Sequence, residues 1–285
     1  MSRMKKYIAI TLAFVMSFVL LVPAKQVSAA SKKTIYVVDS IKVKGVDRAG
    51  EKVNYTQKIK YNKKGFITKI NQPDSQTIVY TFSYNKKNQL TKFVINVTGG
   101  DYPGKSTYKY TYKNGLVKTR KQDSGDSDKE TSTYTYKNKK LVSEKKKSSW
   151  KNESGETETE TLKYKYTLKN GHITKWTDEY SNTMKTTFDK KGNITKRVFS
   201  NKDGDVISDV LFKATLTYNK SGRMTKRVAQ YKNPMMSAKE KVTETIKYKK
   251  IKVSKSYADA IEAQQWQLLN GEGADHFATD GCEAW

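Results

Sequence analysis

Few residues of this chain stand at a spacing that could do chemistry. His172 sits beside a turn glycine and His276 near the C-terminus, and neither has a partner at metal-ligand or catalytic-triad spacing. The run Asp123-Ser-Gly-Asp126-Ser-Asp128 has the oxygen density of a calcium loop but lacks the downstream bidentate glutamate. Asn201-Lys-Asp203-Gly-Asp205 is no stronger, and both read as turn chemistry. Glu153, Glu156, Glu158 and Glu160 offer paired carboxylates, yet nothing apolar surrounds them to split their pKa values into acid and base. Cys282 is the single cysteine, so there is no disulfide framework. No phosphate-binding glycine loop or nucleophile motif is present. The expectation is a protein that is not an enzyme and uses no cofactor or metal. A polysaccharide lyase working through tyrosine and a cation is the enzyme alternative.

Aromatic and cationic residues dominate instead. Nineteen tyrosines accompany 55 Lys+Arg against 28 Asp+Glu, a formal net charge of +27. Segments such as Tyr108-Lys-Tyr110-Thr-Tyr112 alternate with period two, which puts the rings on one face of a strand and the polar residues on the other. The candidate ligand-contacting residues are accordingly Tyr80, Tyr84, Tyr108, Tyr110, Tyr112, Tyr134, Tyr136, Tyr164, Tyr166 and Trp176. Because the rings and lysines point to opposite faces, bases could not stack where phosphates are held, so specific nucleic-acid recognition is not expected. Only six of the 55 cations are arginine, which makes the surface one of hydrated point charges, salt-sensitive and poorly selective.

The elements that carry these residues repeat. Eight times an aromatic or aliphatic strand end, at Tyr61, Tyr84, Tyr112, Tyr136, Leu168, Phe188, Tyr218 and Tyr248, runs into a short Asn/Lys/Gly turn and then an aliphatic residue. Each unit reads as a β-hairpin. Gly65, Gly115, Gly171, Gly192 and Gly222 are the expected left-handed positions, and a looser turn is expected near Lys139. Asn96–Ser106, Gln122–Thr131, Lys147–Thr161, Asn201–Asp205 and Asn233–Ala238 read as loops at the other ends of the hairpins. The fold class predicted is all-β, an extended antiparallel sheet of about eight consecutive hairpin repeats, open or spiral, with a short C-terminal helix.

The ends differ from the body. Residues 1–30 have the basic start, apolar run and small-residue site of a secretory signal peptide, too short to span a bilayer. Residues 31–253 form the repeat domain, and 254–270 a helix with Ser256 and Asp259 as a capping box, placed to cover the last sheet edge. Residues 271–285 are an acidic tail without periodicity.

Phe188-Asp189-Lys-Lys-Gly192-Asn-Ile194-Thr195 and Tyr218-Asn219-Lys-Ser-Gly222-Arg223-Met224-Thr225 resemble the RHS or YD repeat of secreted and surface bacterial proteins. That resemblance, covering about Tyr55 to Val253, implies hairpins wound into a spiral sheet and a surface location. Asn stands in place of the motif's Asp in most units. The repeats also resemble choline- and glucan-binding wall repeats, whose aromatic cages take cationic or sugar ligands. Trp150, Trp176, Trp266 and Trp285 lack the regular spacing of such cages. The function expected is therefore that of a secreted, non-catalytic repeat protein, extracellular and wall-associated. It would bind an anionic cell-wall polymer or polysaccharide, or another surface protein. A purely structural scaffold is the alternative.

Overall fold

The computed structural model describes residues 31–46, 51–100, 103–125, 128–206, 211–232 and 240–270. The expected signal peptide, the acidic tail with His276 and Cys282, Asp126 and the segment Asn233–Ala238 lie outside the described residues. The described residues form sixteen strands and one helix. The first eight strands are β1 (Lys32–Val46), β2 (Lys52–Tyr61), β3 (Ile67–Pro73), β4 (Thr77–Tyr84), β5 (Leu90–Thr98), β6 (Gly104–Lys113), β7 (Leu116–Asp123) and β8 (Lys129–Lys137). The second eight are β9 (Lys140–Lys151), β10 (Thr157–Lys169), β11 (His172–Asp178), β12 (Thr183–Phe188), β13 (Ile194–Ser200), β14 (Leu211–Tyr218), β15 (Met224–Lys232) and β16 (Glu240–Ser254). Helix α1 covers Lys255–Asn270.

Every strand pairs antiparallel with its chain neighbours, and β1 pairs with β16 from Lys32↔Ser254 to Val46↔Lys241, so the sheet closes into a barrel. This corrects the expected open or spiral sheet, and with it the spiral wall implied by the RHS/YD resemblance. The reason is an edge argument: an open stack would leave two long strands with unpaired N–H and C=O groups, and their mutual pairing satisfies both. Helix α1 therefore has no edge to cover. It lies across one mouth of the barrel.

Local chemistry explains the repeats. At Asn62, Asn85, Asp189 and Asn219 the side-chain Oδ1 accepts the backbone N–H groups two and four residues on, at 2.8–3.1 Å. Only an acceptor oxygen is needed, so Asn serves as well as Asp. Three other hairpins use two-residue turns with both central residues left-handed, Asn114-Gly115, Asn138-Lys139 and Asn170-Gly171. The turn at Lys139 is thus as tight as the others, not looser; the lysine adopts φ +62°. Much of the expected loop Lys147–Thr161 is strand, since β9 and β10 extend to a turn at Asn152–Glu156.

The interior is packed. Sixteen strands held round enclose a water channel, but Phe93, Tyr108, Val117 and Ser132 have no exposure at all. One apolar cluster runs from Val38 to Ile246, so the inward faces meet side chain to side chain. The outward faces are lysine and threonine: Lys105, Thr107, Lys109 and Thr111 alternate with buried Tyr108 and Tyr110 on β6. Burying a ring such as Phe93 contributes about 1.5–3 kcal/mol, and the alternation repeats this around the ring.

Candidate binding surface

The sequence-predicted ligand residues lie inside. Tyr80, Tyr108, Tyr110, Tyr134, Tyr164, Tyr166 and Trp176 are buried, and Tyr84, Tyr112 and Tyr136 pack against the same core. Phe93 joins Tyr80, Phe82 and Tyr108 in ring contacts at 4.8–6.2 Å, and Trp176 meets Tyr164 edge-on at 5.5 Å. The seven buried rings are covered from solvent, so among the described residues they offer no tyrosine-lined sheet face to a polymer. The polymer-binding reading that rested on such a face is corrected accordingly. The expectation of a freely secreted protein is withdrawn with it: a closed antiparallel barrel of sixteen strands is also the architecture by which chains reside in outer membranes, so a leader sequence no longer specifies release.

The anchor tyrosines have a structural task. In each hairpin at the helix end the register shifts by one residue at the anchor, for example between Ser83 and Tyr84. The shift leaves carbonyls out of the ladder. Tyr84, Tyr112 and Tyr248 donate their hydroxyls to the carbonyls of Ile67, Leu90 and Met224 at 2.6–2.7 Å, each reaching back to the aliphatic residue of the preceding unit. Burial pushes the Tyr248 hydroxyl up to about 12, which keeps it a donor.

Helix α1 serves the matching N–H groups. Gln265 accepts from Val38 N at 2.8 Å, Gln264 from Ile67 N at 2.8 Å and Asn270 from Ile194 N at 2.7 Å. Its buried residues are Ala258, Ile261, Gln264, Gln265, Gln267 and Asn270, and Leu268 and Leu269 pack against the core beside them. Amides are buried because the mouth presents backbone donors, which cost about 1–3 kcal/mol each if unpaired. The residue preceding the helix is Ser254, whose Oγ accepts from Ser256 N at 3.4 Å, so the cap sits two residues before the expected Ser256. Trp266 donates to the Gly192 carbonyl and lies on His172, which in turn lies on Phe188. Burial lowers the His172 pKa; it is a packing residue at the mouth.

Charges inside the barrel are paired with one another. Arg120 binds Glu130, and Lys146 adds a second contact to that carboxylate at 3.5 Å. Burial alone would raise the Glu130 pKa, but the Arg120 guanidinium and Lys146 ammonium overcome it and hold the carboxyl below its ordinary value. Glu144, which accepts from Tyr166, is raised instead, chiefly by burial. Arg227 forks onto Glu244 and donates its third contact to the Leu269 carbonyl at 2.8 Å, tying the C-terminal end of α1 to the interior. Sequence reasoning missed these residues. The signal was there: in a chain whose default cation is lysine, three of the six arginines, Arg120, Arg197 and Arg227, are buried.

The outer wall carries the remaining charge. Registered pairing sets Lys60 opposite Lys69, Lys145 opposite Lys163, Lys175 opposite Lys185, and Lys196 opposite Lys213. On β5, β6 and β7 three lysines stand in one row, Lys92, Lys109 and Lys121. Among the described residues none of these lysines has a carboxylate partner. Like charges directly opposite destabilise a sheet.

No protein-family description and no curated protein matches the chain. Among solved structures, the crystal structure of a porin-like protein from Bacteroides uniformis ATCC 8492 is similar at 14% identity, over 75% of this chain and 98% of that one, with a TM-score of 0.43. A likeness of that degree carries nothing about role.

Proposed function

We infer that this chain is a non-catalytic barrel that docks on an anionic membrane surface through its lysine-clad outer wall. One observation supports it above the rest: lysines face lysines around a barrel that has no free edge. Exposed lysines on an open sheet guard its edges against pairing with other chains. Closure removes that task, while the repulsion between opposed ammonium groups remains, and a bound anionic surface relieves it. Lipid headgroups of negative charge attract such residues by about 1 kcal/mol per cation near the surface.

The outward wall also argues for docking over crossing. A membrane-spanning barrel needs an apolar outer band, and a lysine at the bilayer midplane costs about 2–4 kcal/mol. On β6, β9 and β10 the outward positions Lys109, Lys145, Lys147, Lys163 and Lys165 are exposed lysines along the middle of the strands. The interior titratable groups face each other and are covered, which supports a role without catalysis.

Vesicle co-sedimentation tests the reading. Vesicles of phosphatidylglycerol should retain the protein at low salt and release it at high salt, vesicles of phosphatidylcholine should not retain it, and planar bilayers should show no conductance. Absence of retention on phosphatidylglycerol at low salt, or stepwise conductance, overturns it.

A further inference from the structure

The outer wall carries a concavity at one corner. At the end opposite helix α1, β1 approaches β16 so closely that a Cβ on Gly45 would lie 2.1 Å from the Lys241 carbonyl oxygen, and Gly45 takes φ +148°. The wall folds there into a groove of about 700 Å³, within the usual range for small-ligand sites of roughly 300–1,000 Å³. Its polar lining is Lys42, Lys44, Lys52, Asn54, Thr243 and Thr245. Strand register places Lys44 between Thr243 and Asn54, and Lys42 beside Thr245. Among the described residues the lining thus offers three ammonium groups, an amide and two hydroxyls, and no carboxylate.

We propose that this groove is a binding site for a compact polyanion bearing two linked phosphate groups. Lys42 and Lys44 stand two residues apart on one strand, about 7 Å, which suits a pair of phosphates better than one. Thr243, Thr245 and Asn54 supply neutral donors between the cations, the mixture that fixes orientation as well as charge. A concave wall of one sign concentrates its field, so this corner outcompetes the convex lysine rows for a small anion. The site deepens the docking reading, because a phosphate-bearing headgroup and a free pyrophosphate share the chemistry it recognises, but it does not need that reading to hold.

The full chain is titrated with pyrophosphate and with orthophosphate by calorimetry, and compared with K42Q/K44Q and with K92Q/K109Q/K121Q on the convex row. Pyrophosphate should saturate one site and bind more tightly than orthophosphate. The groove variant should weaken it by about tenfold or more, the equivalent of one lost charge-assisted contact, and the row variant should leave it within about twofold. Equal weakening by both variants, or no saturation at low salt, overturns the site. The same proteins are run on phosphatidylglycerol vesicles. Absence of vesicle retention by the unsubstituted protein with its pyrophosphate binding intact would sink the docking reading alone, and retention without pyrophosphate binding would sink the groove alone; the row variant should lose retention and keep pyrophosphate.

Discussion

The inward residues of β1 to β5 are mostly apolar, among them Ile41, Val43, Ile59, Ile70, Ile78, Phe82 and Phe93, with Gln57 and Gln72 bonded to each other, whereas those of β7 to β10 include Arg120, Gln122, Glu130, Ser132, Glu144 and Tyr166. Both stretches are buried to a similar degree. The first is held by area removed from water, which is non-directional and tolerates loss of one group in proportion to its size. The second is held by partners that must all be present, because an unpaired charge in a dry interior costs more than the pair contributes. Equal burial therefore conceals unequal sensitivity: one region is robust to pH and to single changes, and the other is conditional on a complete network.

The sharpest break of this comparison is Arg120→Met, which leaves Glu130 only the longer contact to Lys146 and should cost about 3 kcal/mol. Removing the carboxylates as well, in a variant that adds Glu130→Leu and Glu144→Leu, should recover most of that loss. On the other side Phe93→Leu should cost about 1–2 kcal/mol, with no partner change able to rescue it. Urea denaturation with both midpoint and slope recorded checks all three. Failure of the triple variant to recover would show that the two regions are held in the same way.

A smaller effect separates them by pH. Glu130 is held below its unfolded value, so its contribution is present above the ordinary glutamate pKa and is lost as pH falls through the lowered one. Glu144 is raised, so its contribution is complete below the ordinary value and fades as pH rises through the raised one. Glu130→Gln should flatten the acid limb of a stability-pH profile, and Glu144→Gln the rise-side loss. Identical profiles for wild type and both variants would remove the network from the account.

The smallest effect lies in the turn joining β8 to β9. Lys139→Gly relieves a side chain from the left-handed region and should stabilise the conditional half by about 1 kcal/mol, read as a raised melting temperature. Gly65 in the robust half cannot be changed the other way. A Cβ there would lie 2.7 Å from Val253 and 2.8 Å from Ile261, under α1.

Much of the local structure was legible. The turn residues named from sequence at Gly65, Gly115, Gly171, Gly192 and Gly222 all take positive φ, because left-handed backbone is a property of a few residues and needs no partner. The face shared by Tyr108 and Tyr110 was legible too, since alternation follows from the pleat. Whether that face met water was not: the same pattern serves an exposed platform and a buried lining. The buried arginines were visible only as a scarcity. Glu130 and Glu144 looked like any other carboxylates in a charged chain, and their depth depends on strands that lie elsewhere in the sequence.

The chain's own residues determined the hairpins, their turns and the two-faced strands, since these rest on backbone sterics and contacts a few residues apart. Only the tertiary structure decided that β1 meets β16, that the tyrosines line the inside and lysines the outside, and that Gln264, Gln265 and Asn270 of α1 answer backbone donors around one mouth. Those contacts join residues about two hundred positions apart in the case of β1 and β16, and no local preference reports whether such distant partners will meet.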